Sequence, residues 1–203
     1  MCGRYELNES REDIRRRFRL EDAAEFEKNG DVRPTNTVPI VRLDAAGRRE
    51  CVLMRWGLVP HWSRELKLKY PTFNARAESA DKLPSFREAF KKRHCLVPVS
   101  SFFEWPILEG KKRKCRISMK DGSAFAFAGL WESWRDKVNP DAEPVLSFTI
   151  ITTTANADMA PYHDRMPVIV EPQHYDWWLD ANAENPRALL VPYLEGMLSI
   201  APV

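Results

Sequence analysis

Cys95-Leu-Val-Pro-Val-Ser-Ser-Phe-Phe-Glu-Trp105 sets two short apolar runs, 95–99 and 102–105, one after the other. Both are rich in β-branched or aromatic residues, and that composition reads as strands. Working outward, runs of the same kind recur at 38–43, 51–56, 115–119, 124–131, 146–152 and 167–170. Turn signals at Ala46-Gly47, Glu109-Gly110 and Asp121-Gly122 predict antiparallel meanders among them. Helical patterns are fewer. Ser10-Arg-Glu-Asp13 has the form of a capping box, and Ile14 and Phe18 fall four apart, which predicts a helix over about 10–19. A second is expected from Leu83-Pro84-Ser85 to about Arg93, with Phe86 and Phe90 on one face, and a third after Pro172, over 174–180. The fold class is therefore α+β: a dominant curved, mostly antiparallel sheet with a few peripheral helices.

The chain has 203 residues, enough to bury a core without disulfide staples. No repeat, low-complexity tract or linker divides it, so residues 1–203 read as one domain. The longest apolar stretches fall far short of the roughly 20 residues of a membrane helix, and the N-terminus lacks a signal-peptide pattern. The expectation is a cytoplasmic protein, associated with the nucleoid when acting, or nuclear in a eukaryote. Cysteines at 2, 51, 95 and 115 form no C-x-x-C pair and show no metal-ligand spacing with the four histidines, so no metal is expected. The absence of G-x-G-x-x-G and G-x-x-x-x-G-K argues against a nucleotide cofactor, and no other cofactor is implied. Charge is uneven. Residues 1–138 hold 29 Lys and Arg against 20 Asp and Glu, whereas 139–203 hold 2 against 9. Such asymmetry is compatible with a basic face for a polyanion, and an excess of Arg over Lys suits phosphate.

Met1-Cys2 is the most informative dipeptide. Removal of Met1 would leave Cys2 with two nucleophiles, an α-amine of pKa about 8 and a thiol of about 8.5. A 1,2-aminothiol attacks an aldehyde through its amine to form a Schiff base, and the sulfur, held close by covalent geometry, then closes a five-membered thiazolidine. Gly3 next to it permits close backbone approach, and Arg4 could hold a phosphate. Cys51, Cys95 and Cys115 read as core residues. Thr72-Phe-Asn-Ala-Arg-Ala-Glu78 puts Asn74, Arg76 and Glu78 on one side of an extended segment. Glu104 lies inside an aromatic run, where desolvation would raise its pKa and suit it to proton transfer. Pro161-Tyr-His-Asp-Arg-Met-Pro167 supplies His163 and Arg165, while His61, His94 and His174 have less suggestive surroundings.

Six ordered segments carry a resemblance: Cys-Gly-Arg-Tyr, Arg-Trp-Gly-Leu-Val-Pro-His-Trp, Phe-Asn-Ala-Arg-Ala-Glu, Cys-Leu-Val-Pro-Val-Ser-Ser-Phe-Phe-Glu-Trp, Ser-Phe-Thr-Ile-Ile-Thr-Thr-Thr-Ala-Asn and His-Asp-Arg-Met-Pro-Val-Ile-Val. Spanning residues 2–170, they resemble the SOS-response-associated peptidase (SRAP) family. The resemblance implies a pseudo-barrel fold, recognition of abasic sites in single-stranded DNA, and trapping of the ring-opened sugar as a thiazolidine. By motif position it implies Cys2 as crosslinking nucleophile, Asn74 as a residue positioning the amine or sugar, Glu104 as acid/base and His163 as a second proton-transfer group. Arg4, Arg76 and Arg165 would hold phosphates, and Trp56 or Trp62 would be available to stack bases. The chain departs from the family pattern at Phe103, often Tyr, and at Asp31-Val-Arg-Pro-Thr35, often Asn-x-Ala-Pro-Thr.

The first reading is thus a monomeric abasic-site sensor that crosslinks to DNA and so protects the strand from cleavage, with lyase-type chemistry at the Schiff-base stage. A thiol autopeptidase using Cys2 with His163 and Glu104, which could remove Met1, is the alternative. A non-catalytic DNA-binding module is the third.

Overall fold

A computed structural model describes residues 2–203. Its strands in chain order are β1 (Tyr5–Leu7), β2 (Asn29–Val32), β3 (Thr37–Leu43), β4 (Arg49–Trp56) and β5 (Asn74–Arg76). There follow β6 (His94–Val99), β7 (Ser101–Glu104), β8 (Ile107–Leu108), β9 (Lys111–Lys112) and β10 (Cys115–Met119). The last five are β11 (Phe125–Trp134), β12 (Val145–Thr154), β13 (Arg165–Pro167), β14 (Ile169–Val170) and β15 (Leu198–Pro202). The α-helices are α1 (Arg11–Phe18), α2 (Arg87–Lys92) and α3 (Tyr175–Leu179).

Five strands close a ring. β3 pairs antiparallel with β4, and it meets β6 at Val41↔Leu96. β6 pairs with β11, and β11 with β12 from Gly129↔Ile150 to Trp134↔Val145. β12 then returns to β4 in parallel, Ser147↔Arg55 and Phe148↔Trp56. Closure removes the open edges a curled sheet would otherwise present. Beyond β4, the same edge of β12 takes up β5, also in parallel, at Ile150↔Asn74. The second sheet, in the order β15-β10-β7-β1-β2, is antiparallel throughout. It packs on the ring through aromatic residues: Tyr5 lies 5.2 Å from Trp56, and Phe102 5.5 Å from Phe127, centroid to centroid. The stretch 95–105 is the crossing point, since β6 belongs to the ring and β7 to the second sheet. The fold is the expected α+β class with a barrel-like curled sheet.

α1 is capped as its sequence predicts. The Ser10 hydroxyl accepts from the Asp13 N–H, and the Asp13 carboxylate accepts from the Ser10 N–H. Its inward residues Ile14 and Phe18 are buried, Phe18 stacking on Tyr175 of α3 at 5.1 Å. Three expectations need correction. The second helix begins at Arg87, because residues 79–86 form turns, with Phe86 and Arg87 both donating to the Leu83 carbonyl. Asp121-Gly122 joins β10 to β11 across the two sheets, so it closes no hairpin. The single strand expected at 167–170 is two: β13 on β12 and β14 on β11, with Val168 bonded to both neighbours between them.

Candidate functional site

Cys2 precedes β1, Asn74 opens β5 and Glu104 closes β7, so three strand ends bring these residues to the seam between ring and second sheet. The Asn74 amide donates to the Cys2 carbonyl at 2.7 Å, tying β5 to the N-terminal segment. Its other polar atom, Oδ1, is buried and accepts no hydrogen bond among the described residues. Cys2 is fully buried, its Sγ donating to the Arg4 carbonyl at 3.7 Å. Burial pushes its thiol well above the ordinary range, and the Glu104 charge pushes the same way. Glu104 is itself buried, which raises its carboxyl above the usual value, with the Asp164 charge adding to the effect. These couplings link the N-terminal segment, β7 and the loop ahead of β13.

That loop carries His163. Its Nδ1 accepts from the Arg165 backbone N–H at 2.9 Å, so a neutral ring keeps its proton on Nε2. Nδ1 also lies 2.8 Å from an Asp164 carboxylate oxygen, a contact that would be an ion pair only for imidazolium. The backbone N–H claims the Nδ1 lone pair; partial burial lowers the histidine pKa, against which the Asp164 charge works.

The arginines divide by their partners. Arg165 is nearly buried and grips Glu78 with both terminal nitrogens, at 2.6 and 2.8 Å, while also donating to the Thr152 carbonyl. Arg4 pairs with Asp31, which Arg33 also engages, and the two guanidinium groups hold the Asp31 carboxyl far below the carboxylate range. Arg76 is exposed and has no carboxylate partner among the described residues. Asn74 and Arg76 share the outward side of β5 while Ala75 and Ala77 are buried, the alternation expected of an extended segment. Sequence reasoning missed Asp31 and Glu78 as ion partners. Asp31 stands in the segment that departs from the family pattern, which was the available signal.

The two tryptophans separate cleanly. Trp56 has no exposed surface, packs against Tyr5, Phe73 and Phe148, and donates its indole N–H to the Phe73 carbonyl. The expectation that it stacks bases is corrected: the ring closure at Phe148↔Trp56 turns it into the core. Trp62 is half exposed, on the excursion between β4 and β5. Cys51, Cys95 and Cys115 are free and buried. Among the described residues no cluster of three or more His, Cys, Asp or Glu is arranged to hold a metal ion, and no helix is long and apolar enough to cross a membrane.

Comparison with known proteins adds a family match and close structural relatives. The SOS response associated peptidase (SRAP) family pattern matches residues 1–203. The abasic site processing protein YoqW of Bacillus subtilis is 37% identical over 200 residues, covering 95% of this chain and 88% of that one. The abasic site processing protein HMCES of Xenopus tropicalis is 25% identical, covering 89% of this chain and 66% of that protein. A solved structure from Bordetella bronchiseptica, 32% identical, superposes with a TM-score of 0.86 over 100% of this chain and 99% of that one.

Proposed function

Since the chain belongs to the SRAP family, we propose that it is an abasic-site sensor: a single domain that, once Met1 is removed, crosslinks through Cys2 to the ring-opened abasic sugar of single-stranded DNA. The observation that carries this reading is the hydrogen bond from Asn74 to the Cys2 carbonyl beside a buried Glu104. While Met1 is attached, the Cys2 nitrogen is an amide and no nucleophile. Freed, the α-amine adds to the sugar aldehyde to give a carbinolamine. Asn74 Oδ1, a buried acceptor at this residue, is the natural partner for an N–H of that amine. Glu104, whose carboxyl pKa is raised by burial, is the group placed to pass a proton to the departing hydroxyl, which leaves as water to form the Schiff base. The Cys2 sulfur then attacks the imine carbon, its proton passes to nitrogen, and the thiazolidine closes. His163 serves as a second proton-transfer group. The closed ring leaves no imine to drive strand cleavage.

The buried thiol supports this order of events. A thiol whose pKa is raised is a poor first nucleophile, but the intramolecular second step needs only proximity. The same burial weighs against a thiol peptidase, which would need thiolate at Cys2; the peptidase in the family's description is compatible with self-removal of Met1. Arg76 is free to meet a phosphate directly. Arg4 and Arg165 would do so by exchanging Asp31 and Glu78 for it. The partner is single-stranded DNA bearing an abasic site, Trp62 is the base-stacking candidate, and the protein acts as a monomer in the cytoplasm. The test is incubation of processed protein with abasic single-stranded DNA, followed by denaturing electrophoresis after heating. A heat-stable band that requires the thiol is expected, and its absence would overturn the proposal.

A further inference from the structure

The hairpin between β7 and β10 carries consecutive exposed basic residues that no carboxylate neutralises among the described residues. Arginines elsewhere are mostly neutralised, as Arg42 is by Glu50, Arg49 by Asp176 and Arg187 by Asp81. An arginine so paired offers little net charge to a phosphate. Lys111, Lys112 and Arg113 are exposed, and none of them has a carboxylate within ion-pair distance among the described residues. β8 and β9 form their own two-stranded sheet, Ile107↔Lys112 and Leu108↔Lys111, joined to no other strand. Ile107 is 75% exposed beside Lys112. A lone two-stranded hairpin is marginally stable, and adjacent like charges do not help it. Its composition suits a polyanion better than it suits a free fold.

Its position suits the same partner. Arg113 N–H closes the hairpin base on the Pro106 carbonyl at 2.9 Å, and the next residue pair is Cys115↔Glu104. The arm therefore rises from the strand end that carries Glu104. Lys114, at its root, is held with Nζ 3.8 Å from the Phe103 ring centroid. Six residue steps lead from Glu104 to Gly110 at the turn, a reach of at most about 20 Å. At duplex rise that is about six nucleotides from the seam.

We infer that the hairpin 107–114 clamps the phosphates of the DNA strand flanking the abasic nucleotide, with Lys111, Lys112 and Arg113 as the contacts. This rests on the proposed function, and it assigns the non-covalent hold on the strand to the arm while the seam performs the chemistry. The test uses the full processed chain and a Lys111→Ala/Lys112→Ala/Arg113→Ala variant whose melting temperature is checked against the parent. Binding is measured by fluorescence anisotropy on an undamaged single strand of about 15 nucleotides, and crosslinking on that length and on a trinucleotide, each with an abasic site. At low salt the variant should bind the long strand about tenfold or more weakly, with the log-log salt slope shallower by about 2, or 0.7 for each lost contact. Crosslinking of the trinucleotide should be unchanged. An unaltered affinity and slope on the long strand would overturn the assignment, as would equal losses on both lengths. Because binding is read on undamaged DNA, a parent protein that forms no adduct would sink the proposed function while leaving the test of the arm intact.

Discussion

Cys2 and Cys95 are equally buried, and in both burial pushes the thiol well above its ordinary range. Cys95 sits in β6 on the wall of the ring, where a Cβ on Gly129 of β11 would come within 2.8 Å of its sulfur. Besides packing, its carbonyl accepts from the Trp178 indole N–H at 2.9 Å, and the Arg42 charge pulls the thiol back down; no carboxylate acts on it among the described residues. Cys2 has the same acidity problem and different neighbours: an amide on its carbonyl, a buried carboxyl close enough to perturb its thiol, and, after processing, an amine on the same residue. On the proposed mechanism, the difference teaches that thiolate character does not mark the reactive cysteine in this fold. What marks it is a second nucleophile with proton-transfer groups arranged around it.

The largest expected effect breaks the comparison at the sulfur itself. Cys2→Ala, with its amine retained, should abolish the heat-stable adduct while leaving Schiff-base chemistry, which borohydride reduction would reveal. Cys95→Ala should crosslink as the parent does.

Next comes the carboxyl. Glu104→Gln should slow adduct formation by about 10²–10⁴-fold at neutral pH, measured as single-turnover rates. The same variant should be more stable than the parent at neutral pH. The folded-state pKa of Glu104 is raised, so its protonated form favours the fold below the unfolded value and that advantage is lost as pH rises through the folded value. The stability gain of Glu104→Gln should therefore be greatest at neutral pH and shrink as the pH falls towards 4.5 and below, as melting curves across pH would show. A variant less stable than the parent at neutral pH would argue that the carboxyl is held for structure.

The smallest effect sharpens the other side of the comparison. Gly129→Ala should lower stability by about 1–3 kcal/mol in denaturant titration, because its methyl meets the Cys95 sulfur and the Thr149 carbonyl. It should leave crosslinking at saturating DNA unchanged.

Much of this could be read before the fold was known, and the reasons are local. Ser10 and Asp13 sit three apart and cap α1 within their own segment. The runs that became β6, β10 and β12 carry their strand character in their composition. β1, β2 and β15 escaped because they are short, and β15 is defined by pairing with β10, some 80 residues away. Closure of the ring rests on a two-residue parallel contact that no periodicity announces. The site divides in the same way. Cys2, Asn74, Glu104 and His163 carry recognisable chemistry in their own motifs. The carboxylates that neutralise Arg4 and Arg165 lie 27 and 87 residues away, so the phosphate-binding set could not be sorted from spacing alone. Trp56 faces inward for a reason visible only once β4 meets β12.

The central claim is that one residue supplies both bonds of the crosslink, and intact mass spectrometry tests it most directly. Processed protein, Cys95→Ala and Cys2→Ala would each be weighed before and after incubation with abasic single-stranded DNA and heating. Loss of Met1 and a gain equal to the oligonucleotide less one water are expected for the first two, with no heat-stable gain for Cys2→Ala. A heat-stable adduct on Cys2→Ala would contradict the account.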